Sequence, residues 1–245
     1  KNGDIDTNEL ELNMKMHKAI TIIQFKLEGQ LILRRPDFKM NDRLLLDKIN
    51  YENGTIEIQG KTYELLDKNF PTIDPKDPYK LTEQEAQLME RLEYSFRNCD
   101  KLQKHIRFLL SKGGLYLTYN NNLLFHGCVP LNEDGTLREV ELNGIKYSGR
   151  NLYDVLEYYA RKGFYRQKED TDYTYGRDIL WYIWSNENSP VYGKEKMATF
   201  ERYFLSDHAL HEEKKDYYYK LIEEDEVVTR ILNDFGLHSP EAKII

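Results

Sequence analysis

The stretch GGLYLTYNNNLLFHGCVP, residues 113–130, decides how this chain is read. Two short apolar runs, 115–119 and 123–125, are joined by an Asn-rich turn, and the second delivers His126-Gly127 to its carboxyl end. Ligand and metal sites of α/β sheets gather at strand ends, and a following glycine lets the backbone turn sharply beside a bound ion. His126 is therefore a candidate metal ligand. Taken alone, a single histidine at a strand end reads more simply as a structural residue, because one donor does not make a metal site.

Composition narrows the function classes. A chain of 245 residues can bury roughly 70–75% of its unfolded surface, so neither disulfide nor metal is needed merely to hold a core, and one or two domains fit. Charged residues at 31% and hydrophobic ones at 40% are the balance of a globular protein. The net charge of −7 argues against a nucleic-acid surface, since Arg34-Arg35 is too small a basic patch. No apolar run approaches a membrane span. Cys99 and Cys128 are too few for an extracellular scaffold and read as reduced thiols of a cytoplasmic protein. The polar run at 1–8 suits a loop and Ile244-Ile245 a strand entering a sheet, so the chain is expected to be a segment of a longer protein.

Helical spacing of Met16, Ala19, Ile20, Ile23 and Leu27 predicts a helix over 9–28, with His17 beside its stripe and Gly29 and Arg35-Pro36 ending it. A short helix at 42–49 comes next, then antiparallel strands within 51–65 around Asn53-Gly54 and Gln59-Gly60. Thr82 and Glu85 form a capping box, with Leu81 and Ala86 as its staple; the helical pattern continues to Gly113-Gly114, broken near 98–100. Beyond the opening hairpin come a second around Asn143-Gly144, a helix closed by Gly163, another at 179–184 and one at 221–232 stopped by Gly236. Strand, helices and a closing strand predict an α/β fold with a layered sheet. The expected boundary lies where composition changes: 1–112 mainly helical, 113–245 the sheet-bearing part.

Chemistry is sparsely marked. His208 and His211 are spaced to meet on one helix face, but the zinc-protease pattern is absent, and the segment reads as solvated. Cys128 reads as packing. There is no P-loop, dinucleotide glycine pattern or G-x-S-x-G elbow. The run 184–202 mixes carboxamide, acid and base with aromatics; Lys194, Lys196 and Arg202 can neutralise a phosphate, or equally be surface cations around an aromatic core.

LLFHGCVP, SGRNLYDVLEYY, DILWYIWSNENSPVYGKEKMATFERYF and ILNDFGLHSPEAKII together resemble the bacterial class III fructose-1,6-bisphosphatases, and HKAITIIQFKLEGQLILRRPDF carries the resemblance over nearly the whole chain. The HGC and WSNE segments are more distantly similar to those of phosphoprotein phosphatases. The resemblance implies a calcineurin-like metallophosphoesterase sandwich, with 1–112 a helical insertion and 113–245 part of the second catalytic half. It implies fructose 1,6-bisphosphate as the phosphorylated sugar substrate, a two-metal site usually containing manganese, His126 as one ligand, and metal-activated water as nucleophile. Lys194 and Arg202, then Asn186 and Glu187, are the expected substrate contacts.

The family's GD-x-x-DRG and GNHD segments do not occur here, Gly3-Asp4 does not replace them, and its NGH segment would come after Ile245. No catalytic acid or base is assigned. The expected partner is the remainder of the same enzyme, without which the segment should show little or no phosphatase activity; nucleic acid and membrane are not expected, and self-association stays open. Two alternatives remain: another phosphoesterase of this fold, or a non-catalytic interaction module.

Overall fold

The computed structural model describes residues 7–165 and 171–245. Gly3-Asp4 and most of the polar run at 1–8 lie outside the described residues. The chain divides into two compact units: the residues up to Cys99 with Tyr203–Ser206, and Asp100–Arg202 with Asp207–Ile245.

The first unit opens on α1 (Thr7–Arg34). Its buried side is Ile22, Ile23, Phe25, Leu31 and Ile32, whereas Met16 and Ile20 are exposed. Of the expected stripe Ile23 is buried and Leu27 half-buried, but Met16, Ala19 and Ile20 are not. The helix carries apolar residues on nearly every side, so spacing alone selects no face and the packed neighbours do. Nor does Gly29 end it: a Cβ there would fall on the Tyr79 ring, so this glycine makes room for an aromatic rather than a break. Arg35-Pro36 stops the helix as expected. In place of the predicted helix at 42–49, the chain makes 3-10 turns at Pro36–Phe38, Asn41–Arg43 and Leu46–Lys48, which turn Phe38, Met40, Leu45 and Leu46 into the core.

Strands β1 (Ile49–Asn50), β2 (Thr55–Ile58) and β3 (Lys61–Glu64) come next, antiparallel in that order. Gln59 and Gly60, with φ of 52° and 75°, make the left-handed turn that the pair predicted.

Helix α2 (Glu83–Arg97) starts at the predicted capping box, Glu85 N–H donating to Thr82 Oγ1 and Thr82 N–H to Glu85 Oε2. The same Glu85 oxygen receives Lys26 Nζ at 2.7 Å, and Lys26 also donates to the Thr72 carbonyl at 2.5 Å. Lys26 is fully buried, so one carboxylate caps α2 and neutralises an ammonium in the core.

The second unit begins with α3 (Asp100–Lys112), after the predicted break at Asn98. The hairpin of β4 (Tyr116–Tyr119) and β5 (Asn122–Phe125) turns on Asn120 and Asn121, both left-handed, and pairs Tyr116 with Phe125. β6 (Val140–Leu142) and β7 (Ile145–Tyr147) form the second hairpin around Asn143-Gly144. Then come α4 (Gly149–Tyr165), α5 (Thr171–Ser185), α6 (Thr199–Phe204, its last two residues counted with the first unit), α7 (Tyr218–Leu221), α8 (Asp225–Asp234) and β8 (Lys243–Ile244). β8 lies parallel to β5, Leu123 opposite Ile244, so the sheet runs β4-β5-β8 and the fold is mixed α/β.

Gly163 does not close α4, which runs on to Tyr165. A Cβ on Gly163 would meet the Gly176 backbone, and one on Gly176 would meet that of Gly163: the two glycines let α4 and α5 touch. The core beneath β5 collects Leu123, Cys128, Val129, Leu131, Tyr153, Ile231 and Phe235. Among the described residues no helix is long and apolar enough to cross a membrane.

Burial pushes the Glu85 carboxyl up, but the Lys26 ammonium and the Thr82 N–H outweigh it and hold the group below its ordinary value. Its contribution to stability is therefore complete above the unfolded pKa of about 4.3 and is lost as pH falls through the lower folded value. Glu85→Ala, which strands the Lys26 charge, should cost about 3–5 kcal/mol in urea unfolding at pH 7. Lys26→Met with Glu85→Gln, which keeps the cap, should cost under about 1.5 kcal/mol and lose less stability than the parent between neutral pH and pH ~3.

Candidate functional site

His126 sits immediately after the last residue of β5 and is exposed. It lines an open cleft of about 1040 Å3 with Tyr116, Phe125, Asp154, Glu157 and Val191. The backbone beyond His126 is tightly fixed. Gly127 has φ of 95°, and a Cβ there would collide with the carbonyl oxygens of Pro190 and Val191. Cys128 N–H donates to the Pro190 carbonyl at 2.8 Å, and Tyr153 Oη donates to the Cys128 carbonyl at 2.9 Å. Gly193 is also left-handed at 63°, and a Cβ there would crowd the Tyr219 hydroxyl and the Cys128 sulfur. The strand end carrying His126 is thus clamped against 190–193.

That second segment is itself a built turn. Asn186 is fully buried, and its Oδ1 accepts the Asn188 N–H at 2.8 Å. Ser189, equally buried, donates from Oγ to the Ile183 carbonyl and accepts the Val191 N–H. Glu187 is exposed on the same turn.

Asp216 ties the two segments together. Its Oδ1 accepts N–H groups from Leu131 at 3.1 Å and Tyr218 at 2.8 Å, and its own N–H donates to the Gly193 carbonyl. Arg138 Nη2 lies 2.9 Å from Asp216 Oδ2, donates to the Leu131 carbonyl, and through Nη1 reaches Asn188 Oδ1 at 3.3 Å. Asp216 is almost completely buried, so this pair works in a low dielectric.

Cys128 is a packing residue, as expected. It is fully buried, and burial, then the Asp216 charge, push its thiol up to about 12, leaving no thiolate for nucleophilic work at neutral pH. His208 and His211 do meet, their rings 5.0 Å apart on a 3-10 helix (His208–His211), but among the described residues they gain no third ligand. His17 is exposed as expected, with the Tyr203 hydroxyl against its ring.

Lys194 and Arg202 are brought together on one carboxylate. Glu213 Oε2 lies 2.7 Å from Lys194 Nζ, and its Oε1 lies 3.1 Å from Arg202 Nη1 while accepting the Ala198 N–H at 3.0 Å. Lys196 turns the other way, to buried Glu201 at 3.6 Å and the Leu210 carbonyl at 2.9 Å. Burial raises the Glu213 carboxyl, but Lys194, the Ala198 N–H and Arg202 prevail and hold it below its ordinary value. Sequence reading passed over Glu213, Asp216 and Arg138. The first two sit in the charged run 212–216, which looks like solvated surface.

Among the described residues no group of three His, Cys, Asp or Glu side chains can hold a metal ion. His126 offers a single donor, which could hold a divalent ion only together with ligands from other residues.

A family model described as firmicute fructose-1,6-bisphosphatase matches residues 1–245. The chain is 54% identical over 237 residues to the fructose-1,6-bisphosphatase class 3 of Clostridium botulinum strain Alaska E43, covering 97% of this chain and 36% of that protein. It is 54% identical over 236 residues to the protein of that name in Clostridium novyi, and 52% identical over 240 residues to that of Alkaliphilus metalliredigens, again with 36% of each covered. The chain thus spans about a third of the length of these relatives. No solved structure matches it.

Asp216→Ala should cost about 3–5 kcal/mol in denaturant unfolding, because it leaves two buried N–H groups without an acceptor and Arg138 without its counter-charge. Lys194→Ala, at a half-exposed pair, should cost under about 1 kcal/mol in the same measurement.

Proposed function

We propose, from the premise that this chain belongs to the firmicute fructose-1,6-bisphosphatase family, that it forms part of an enzyme hydrolysing fructose 1,6-bisphosphate to fructose 6-phosphate and phosphate, in gluconeogenesis. The observation that carries the proposal is the family match along the whole chain, with His126 held exposed on a clamped strand end. In this reading His126 supplies one imidazole to a divalent ion, manganese, whose other ligands come from elsewhere in the enzyme. The β4-β5-β8 sheet is one margin of a calcineurin-like sandwich, 1–112 a helical insertion and 113–245 the part that carries the site.

Lys194 and Arg202 are the proposed contacts to substrate phosphate, since ammonium and guanidinium groups give the strongest hydrogen bonds to phosphate oxygens. Glu187 stands exposed on the turn and is assigned to the substrate side of the site, whereas Asn186, fully buried, holds that turn from within instead of making the expected contact itself. Free Cys99 and Cys128 support a cytoplasmic setting.

In the enzyme of full family length, phosphate release from fructose 1,6-bisphosphate should exceed that from phosphoserine peptides and dinucleotides by at least about 100-fold in kcat/KM. A preference for either rival would give the fold another substrate. His126→Ala should lower bound divalent metal, read by elemental analysis, together with turnover by at least about 100-fold. Full metal content and undiminished turnover would remove His126 from the site.

A further inference from the structure

Two cations aimed at one phosphate repel each other, and on flexible side chains they swing apart. Lys194 and Arg202 are held against this by one group. Each oxygen of Glu213 takes one of them, and the Ala198 N–H fixes the carboxylate from behind. The exposure gradient is directional: 8% for the Glu213 side chain, 39% for Lys194 and 52% for Arg202. The anion lies underneath and the cations face outward.

Neither cation is used up. The ammonium has two further N–H groups, and the guanidinium, which also donates Nη2 to the His211 carbonyl at 3.2 Å, has others. Lys194 adjoins Gly193, where an added Cβ would lie 3.1 Å from the sulfur of Cys128, two residues beyond His126.

From this geometry we propose that Glu213 is a positioning residue, holding Lys194 and Arg202 side by side as a clamp for one phosphate of the substrate. The inference rests on reading those two cations as substrate contacts and adds what makes them act together. Glu213 touches no reacting atom; it removes the repulsion between the cations before phosphate arrives, so binding need not supply that order. Ground state and transition state gain alike, and the effect belongs in KM rather than kcat.

The test uses the full-length enzyme, with inorganic phosphate as competing probe. Glu213→Gln keeps an acceptor for Ala198 but loses the charge. It should raise KM for fructose 1,6-bisphosphate and the inhibition constant of phosphate together, by about tenfold, with kcat within about twofold. Glu213→Asp, whose shorter carboxylate reaches one cation at a time, should raise both by about threefold, and it carries the test if the Gln variant does not accumulate folded. A purely structural role would lower stability and leave both constants where they were. Unchanged constants in the Glu213 variants, alongside raised ones in Lys194→Ala and Arg202→Ala, overturn the positioning role and leave the cations as contacts. Unchanged constants in Lys194→Ala and Arg202→Ala remove the cations from the site, and the clamp with them.

Discussion

Asp216 sets the geometry on which the second unit's surface depends. The loop after β5 and the turn after α5 come from segments some sixty residues apart, and neither forms regular structure with which to hold the other. Backbone groups in both need partners, and Asp216 supplies one to each, taking the Leu131 N–H while its own N–H reaches the Gly193 carbonyl. The Arg138 guanidinium neutralises the carboxylate and extends to Leu131 and Asn188, so one buried charge pair touches both segments. Gly127 and Gly193 have no Cβ where one would force the segments apart. His126 stands exposed immediately before the clamped residues.

The first unit is organised on the same principle with opposite placement of charge. There the buried group is an ammonium, Lys26, and the carboxylate that meets it also closes the capping box of α2. A local helix signal and a long-range ion pair share one side chain, so α2 cannot start in another register without stranding a charge. The buried acids Asp216 and Glu85 and the nearly buried Glu213 each take backbone N–H groups as well as a cation, which is why their burial is tolerable.

Much of the local structure was legible. The Gln59-Gly60, Asn120-Asn121 and Asn143-Gly144 pairs each turn a hairpin where expected, because left-handed backbone is open to few residues. The Thr82–Glu85 cap, the break at Asn98 and the stop near Gly236 also appear, since capping and termination act within a turn of the residue responsible. Reading glycine only as punctuation failed at Gly29 and Gly163, where the missing Cβ admits the Tyr79 ring and the α5 backbone. The apolar spacing of α1 failed differently: a helix apolar on nearly every side has no face to announce.

By itself, then, the sequence determined the turns, the caps, the strand that leads into His126 and the family, all carried by backbone preference or residue identity along the chain. Only the tertiary structure decided which of 42 acidic residues became anchors. Glu213 and Asp216 sit in a run of charges that looks solvated. Their role appears only when cations from 11 to 78 residues away fold against them and water is excluded. Desolvation and partner choice are properties of a packed site, and no spacing along the chain encodes them.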